Sequence, residues 1–221
     1  MTIAAFNEFT SRDKLAERLA EDIAFQLRRE IDREGRASLA VSGGSTPDQL
    51  FDALSKTPLD WERVLVTLVD ERDVPAGHER SNERLVREKL LQSYAAPARF
   101  ISICDNDETA ELPYRFAAVV LGMGTDGHTA SWFTGGDTLA LAVSPNASRL
   151  VMTLTAPGAE ELRHTLTMPS IANARFLALH IEGVDKRNTL VDATEEGDAD
   201  DMPIRHVIRN DDAQMHVYWA Q

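Results

Sequence analysis

The sequence predicts an α/β fold in which a largely parallel β-sheet is flanked by helices. Short apolar runs typical of buried strands alternate along the 221 residues with longer amphipathic runs typical of helices. Glycine-rich turns follow two of the predicted strands, which is where open α/β sheets bind ligands. No internal repeat and no linker divides the chain, so we expect a single domain over residues 1–221.

The first elements are a long helix and a buried strand. Leucine and isoleucine recur every four residues near the start of the chain, which predicts an amphipathic helix over residues 11–34 that Gly35 ends. The apolar run at residues 37–41 then predicts a strand. A later helix is predicted over residues 82–92, with Ser81 as its N-cap.

The remaining elements continue the alternation. Further apolar runs predict strands at residues 64–69, 100–103, 116–121, 149–154, 163–167 and 176–181. A helix over residues 185–195 is expected after Gly183, and a solvated acidic loop follows it. The chain closes with apolar runs at residues 204–208 and 216–219.

Composition restricts the classes of partner. The formal net charge of −13 argues against nucleic acid, because a phosphate backbone requires a basic surface. No apolar run approaches the roughly 20 residues that span a bilayer, and the first residues lack the apolar block of a signal peptide. Cys104 is the single cysteine, which fits a reducing compartment. We expect a soluble, cytoplasmic monomer or small homo-oligomer without a nucleic-acid or membrane partner.

The turn Ser42-Gly43-Gly44-Ser45-Thr46-Pro47 is a candidate anion site. Its two glycines permit close backbone approach, and Ser45 or Thr46 is expected to cap a helix with Pro47 in its first turn. The N-terminus of such a helix attracts a phosphate. The Walker A pattern is absent, and a purely structural turn remains an equal alternative at this point.

Residues 121–131 form the second glycine-rich turn and contain an acid/base pair. Asp126 could orient the ring of His128, whose other nitrogen would then take a proton from water. His180, in an apolar strand, is a weaker functional candidate. No set of His and Cys residues has the spacing of a zinc site, so we expect no metal.

Charged residues near strand and helix ends complete the candidates. Asp70 and Arg72 follow a predicted strand, with Asp70 the one expected to face inward, although a solvated loop is the commoner outcome for such a charged triplet. Arg163 begins another strand. Lys186 lies near a helix N-terminus, where its charge opposes the helix dipole and suggests a nearby anion.

Together these motifs resemble one family, the 6-phosphogluconolactonases, and they do so in the family's order. The matching segments are residues 42–47, 70–75 with His78, 81–82, 121–131 with Phe133 and Gly135, 163–167, and Gly183 with Lys186. The resemblance implies a Rossmann-like fold similar to that of glucosamine-6-phosphate deaminase, and hydrolysis of a phosphorylated sugar lactone in the oxidative pentose phosphate pathway. It implies no metal and no organic cofactor.

The resemblance also implies a role for each site residue. His128 would be the general base, and Asp126 would orient it. The phosphate-binding set would be Gly43, Gly44, Ser45, Arg163 and Lys186. Arg72, with Asp70 near it, would contact the polar groups of the substrate.

Two features depart from the family pattern, and both are expected to affect the pocket rim and any subunit contacts. The segment at residues 104–115 is shorter than is usual in the family, and Thr134 stands where proline is usual. Two alternatives also remain. A glucosamine-6-phosphate deaminase would need a carboxylate shortly after His128, but the first is Asp137. A non-catalytic sugar-phosphate-binding domain would not need His128.

Overall fold

Ten strands and eight helices form the described part of the chain, residues 3–221 of a computed structural model. The strands are β1 Ile3–Phe9, β2 Ala37–Val41, β3 Val64–Leu68, β4 Asp70–Arg72, β5 Arg99–Phe100, β6 Ala118–Leu121, β7 Val151–Leu154, β8 Arg163–Leu166, β9 Leu177–Glu182 and β10 Met215–Ala220. The helices are α1 Arg12–Glu34, α2 Asp48–Ser55, α3 Asn82–Lys89, α4 Asn106–Thr109, α5 Leu139–Ala142, α6 Met168–Ala172, α7 Val184–Thr194 and α8 Ile204–Ile208.

A seven-stranded sheet forms the centre and confirms the predicted α/β class. Its strand order is β1-β10-β9-β6-β2-β3-β5, and every described pairing is parallel. β2, β6 and β9 lie side by side, so the segments that follow them meet at one edge of the sheet. The five residues of β2 are all buried, as expected for a strand covered on both faces.

A second sheet of three strands was not predicted. β4 pairs with β8, and β8 with β7, both antiparallel. The register places Asp70 opposite Thr165 and Arg72 opposite Arg163. Residues 70–72, which the sequence suggested were the end of a strand or a loop, therefore form a short strand that brings two distant charged segments together.

Helix termini confirm some predictions and correct another. Ser11 caps α1 by accepting from the backbone amide of Lys14, and Gly35 ends that helix at φ 76°. Ser81 caps α3 as predicted. Neither Ser45 nor Thr46 caps α2, however, because its N-cap is Pro47 and no side chain bonds its first turn.

Other differences concern the ends of the chain and the sheet edge. β1 was not predicted, although it lies beside β10 at the edge of the large sheet. The strand expected at residues 100–103 is the two-residue β5, and residues 204–208 form a helix. Among residues 3–221, none of the helices combines the length and the apolar character that crossing a membrane requires.

Candidate active site

A cavity of about 350 Å³ opens at the carboxyl edge of β2, β6 and β9. Eight of the nine site residues proposed from the sequence line it: Gly43, Gly44, Ser45, Asp70, Arg72, His128, Arg163 and Lys186. Asp126 is not part of its lining but is bonded to His128, which is. The fold thus brings together residues that are up to 143 positions apart in the chain.

The turn after β2 presents backbone amides to the cavity. The N–H groups of Gly43, Gly44, Ser45 and Thr46 have no acceptor among the described residues. Gly44 has a φ of 90°, which favours glycine, and a Cβ on Gly43 would overlap the side chain of Asn82. With α2 starting immediately beyond, the turn has the donors of an anion site.

Lys186 joins this turn from the far side of the cavity. Its Nζ donates a hydrogen bond to Oγ1 of Thr46 at 3.2 Å, which ties α7 to the turn. Burial lowers the pKa of the Lys186 ammonium, and the nearby carboxylate of Glu182 partly opposes that shift. An anion bound at the turn would raise the pKa of the Lys186 ammonium again.

The turn after β6 holds Asp126 and His128 in contact with each other. Nδ1 of His128 lies 2.6 Å from Oδ1 of Asp126, and Nε2 of His128 has no partner among the described residues. Burial alone would raise the pKa of Asp126. The interactions with the ring and the backbone amide of His128 outweigh burial, so the pKa of Asp126 lies below its usual value. Asp126 therefore remains a carboxylate and fixes the orientation of the ring.

Gly124 makes the contact between these two side chains possible. A Cβ at this position would overlap both the ring of His128 and the carboxylate of Asp126. Its amide also bonds the carbonyl of His128 at 2.9 Å, which closes the turn. At Gly122, by contrast, a Cβ would meet only Ser42 at an ordinary 3.7 Å.

Two arginines from the small sheet enter the cavity opposite the turns. Arg72 and Arg163 are register partners, and the Nε atom of each is buried without a hydrogen-bond partner in the described part of the chain. Burial and the neighbouring charge of Arg72 lower the pKa of Arg163, with Asp70 and Glu161 opposing. Two adjacent cations with unused donors indicate an anionic ligand.

Asp70 and Glu71 stabilise this arrangement, and they do so differently. Asp70 is buried, as expected, and its Oδ2 accepts from the hydroxyl of Ser131 at 2.7 Å. Sequence reasoning gave no role to Glu71, which is more deeply buried. Its carboxylate accepts hydrogen bonds at the start of α3, including from the amides of Asn82 and Glu83. Glu71 therefore places Asn82 against Gly43.

Two other cavity residues were missed or undervalued. The ring centroid of Phe133 lies 4.5 Å from that of His128 and 5.5 Å from the guanidinium carbon of Arg163. Phe133 therefore contacts both His128 and Arg163. His180 is 2 % exposed and lines the cavity, although its apolar strand suggested a core residue. The only sequence signal was a titratable residue near the carboxyl end of a buried strand.

The two departures from the family pattern have separate outcomes. Residues 104–115 contribute nothing to the lining of the cavity, which corrects the expectation that this segment shapes the rim. Thr134 is also outside the lining, but its hydroxyl lies 2.9 Å from the carbonyl of Asp200. Thr134 therefore ties the turn that follows His128 to the acidic loop.

Metal ligands do not cluster in the described residues. Over residues 3–221, no group of three or more His, Cys, Asp or Glu side chains is placed to hold a metal ion.

Comparison with known proteins gives one consistent result. The family model of glucosamine-6-phosphate isomerases and 6-phosphogluconolactonases matches residues 10–219. A 6-phosphogluconolactonase of Rhizobium meliloti is 47 % identical, with 96 % of this chain and 97 % of that protein covered. One of Mesorhizobium japonicum is 44 % identical, with 97 % and 94 % covered.

Solved structures agree in fold. The crystal structure of a 6-phosphogluconolactonase from Shewanella baltica has a TM-score of 0.95 and 38 % identity, with both chains covered completely. A monomeric glucosamine-6-phosphate deaminase has a TM-score of 0.76 at 13 % identity, with 98 % and 97 % covered, and shares the fold. The chain therefore belongs to the family of glucosamine-6-phosphate isomerases and 6-phosphogluconolactonases.

Proposed function

We propose that this protein hydrolyses 6-phospho-D-glucono-1,5-lactone to 6-phosphogluconate, a step of the oxidative pentose phosphate pathway, with His128 as general base. The observation that carries the proposal is the Asp126–His128 pair in a cavity that is also lined by two arginines with unpartnered Nε atoms and by a turn whose backbone amides have no acceptor in the described residues. The names of the similar proteins support the same reaction.

The phosphate group would anchor the substrate. The backbone amides of residues 43–46 have no acceptor among the described residues, and they border the cavity together with Lys186 and Arg163. Arg163 keeps a buried Nε without a hydrogen-bond partner there, while its Nη2 lies 3.9 Å from the carboxylate of Glu161. Lys186 and Arg163 also supply positive charge at the cavity, in a chain whose formal net charge is −13. Anchoring at this end places the lactone carbonyl toward His128.

His128 would activate the attacking water. Asp126 holds Nδ1, so the proton of water passes to Nε2 as its oxygen bonds the carbonyl carbon. The tetrahedral oxyanion then needs a donor, and we assign Arg72, whose buried Nε is unpartnered, with an amide of the glycine turn as the alternative. When the ring C–O bond breaks, Nε2 returns its proton to the leaving ring oxygen.

The deaminase alternative lacks its acid. Residues 127–136 contain no carboxylate, and the carboxylate of Asp137 accepts from the amide and hydroxyl of Thr155. A domain that only bound sugar phosphates would gain nothing from an oriented Asp126–His128 pair. Both alternatives are therefore less well supported than lactone hydrolysis.

A direct assay tests the proposal. The protein is added to freshly prepared 6-phosphogluconolactone, and acid release is followed against the spontaneous rate; release of ammonia from glucosamine 6-phosphate is measured in parallel. We expect hydrolysis of the lactone and no ammonia. Equal efficiency on unphosphorylated gluconolactone would contradict the phosphate anchor, and ammonia release would favour the deaminase.

A further inference from the structure

His180 occupies a position in the cavity that the proposed mechanism does not use. It lies on β9, two residues beyond Ala178, which pairs with Val120. Because side chains alternate along a strand, His180 lies on the same face of the sheet as Val120, and both line the cavity. The ring is thus a polar group on an otherwise apolar part of the cavity wall.

The ring nitrogens of His180 lack hydrogen-bond partners among residues 3–221. Nε2 is buried and lies 3.3 Å from Oε1 of Glu182, but without the geometry of a hydrogen bond. Nδ1 forms no hydrogen bond with any residue in the described range. Leaving a buried polar group unpaired is costly, so such groups usually serve a ligand or hold water.

The surroundings of His180 connect it to the proposed phosphate site. Glu182 lies on the same strand, forms an ion pair with Arg12 at 3.2 Å, and acts electrostatically on Lys186. Lys186 in turn bonds Thr46 of the anion-binding turn. On the neighbouring strand, Tyr218 pairs with His180 in register, but its hydroxyl donates to Asp22 and faces away from this group.

We propose that His180 is a further substrate-binding residue that recognises the phosphorylated end of the substrate. This inference rests on the proposed function. In the complex, a ring N–H donates to a phosphoryl oxygen, which gives the buried ring the partner that it lacks in the free protein. His180 then acts on the selection of phosphorylated over unphosphorylated lactone, and it takes no part in proton transfer to water.

Substitutions of His180 test this role on two substrates. His180→Leu removes both ring nitrogens within a similar volume, and His180→Gln keeps a neutral hydrogen-bond donor. His216→Asn is the matched control, because His216 lies on the adjacent strand with its ring 5.4 Å from Phe176 and outside the cavity. We measure kcat and KM for 6-phosphogluconolactone and for glucono-1,5-lactone.

For His180→Leu we expect KM for the phosphorylated lactone to rise about 10- to 100-fold, the range for a hydrogen bond to a charged group. Its kcat, and kcat/KM for the unphosphorylated lactone, should stay within a few-fold of wild type. His180→Gln should lie between, and supplies the comparison if the Leu variant does not fold. Equal losses on both substrates, or no loss on either, would overturn the proposal.

Direct binding separates this inference from the proposed function. Calorimetric titration with 6-phosphogluconate and with gluconate needs no turnover. If wild type binds 6-phosphogluconate without hydrolysing the lactone, and His180→Leu binds it more weakly, the function fails and the inference stands. If His180→Leu loses no more affinity for 6-phosphogluconate than for gluconate, the inference fails even in an active enzyme.

Discussion

The two sheets contribute different chemistry to the same cavity. The seven-stranded parallel sheet supplies main-chain turns: the free amides after β2 and the glycine turn after β6 that holds Asp126 and His128. The three-stranded antiparallel sheet supplies side-chain cations, Arg72 and Arg163, from opposite register positions. The parallel sheet thus positions atoms through backbone geometry, whereas the small sheet positions charge through strand pairing.

Replacing His128 should cause the largest loss. Removal of a general base costs roughly 10² to 10⁴ in rate, and we expect His128→Ala to lower kcat by that factor with KM close to wild type. Steady-state kinetics with 6-phosphogluconolactone measures both. Near-normal turnover would show that the parallel sheet does not supply the base, and His216→Asn serves as the control histidine.

Gly124 and Gly122 test whether backbone geometry in this turn matters. Neither has a positive φ, so the comparison depends on space alone. An alanine at 124 would displace His128 and Asp126, whereas one at 122 meets Ser42 at 3.7 Å. Misplacing a catalytic group by about 1 Å can cost roughly 10²-fold. We expect such a fall in kcat for Gly124→Ala and little change for Gly122→Ala; equal effects would contradict the geometric argument.

Arg163→Ala tests the contribution of the small sheet to binding. Loss of a charge-assisted contact costs about 1.5–3 kcal/mol, so KM should rise about 10- to 100-fold while kcat changes less. Arg84→Ala is the control, because Arg84 lies outside the cavity, is half-buried and, among the described residues, forms an ion pair only with Glu88 in its own helix. A fall in kcat with unchanged KM would assign Arg163 to the reaction step instead of the anchor.

The same comparison explains what the sequence could predict. Glycines mark turns that backbone geometry requires, so residues 43–45 and 122–128 were recognised, as was the parallel sheet that precedes them. The antiparallel pairing of β4 with β8 depends on contacts between segments about 90 residues apart, and no local pattern encodes it. Glu71 and His180 were missed for a related reason, since their importance comes from burial beside other elements.

The pairing of Arg72 with Arg163 also predicts an effect on stability. Like charges directly opposite in a sheet destabilise it by about 0.2–1 kcal/mol. The lowered pKa of Arg163 also indicates destabilisation. Arg163 is charged at neutral pH in both the folded and the unfolded protein, and a pKa lowered on folding means that the folded state disfavours that charge. Arg163→Met should therefore raise the free energy of unfolding of the ligand-free protein by about that amount.

Bound 6-phosphogluconate should make the wild type more stable than Arg163→Met. At 100 times its dissociation constant, 6-phosphogluconate stabilises a protein by about 2.7 kcal/mol, and the variant, which binds more weakly, gains less. Urea unfolding with and without 6-phosphogluconate measures both differences. If Arg163→Met were less stable than wild type without ligand, the contacts of Arg163 with Phe133 and Glu161 would outweigh the repulsion from Arg72. Arg163 would then stabilise the small sheet in the ligand-free protein, and its repulsion from Arg72 would not lower the free energy of unfolding.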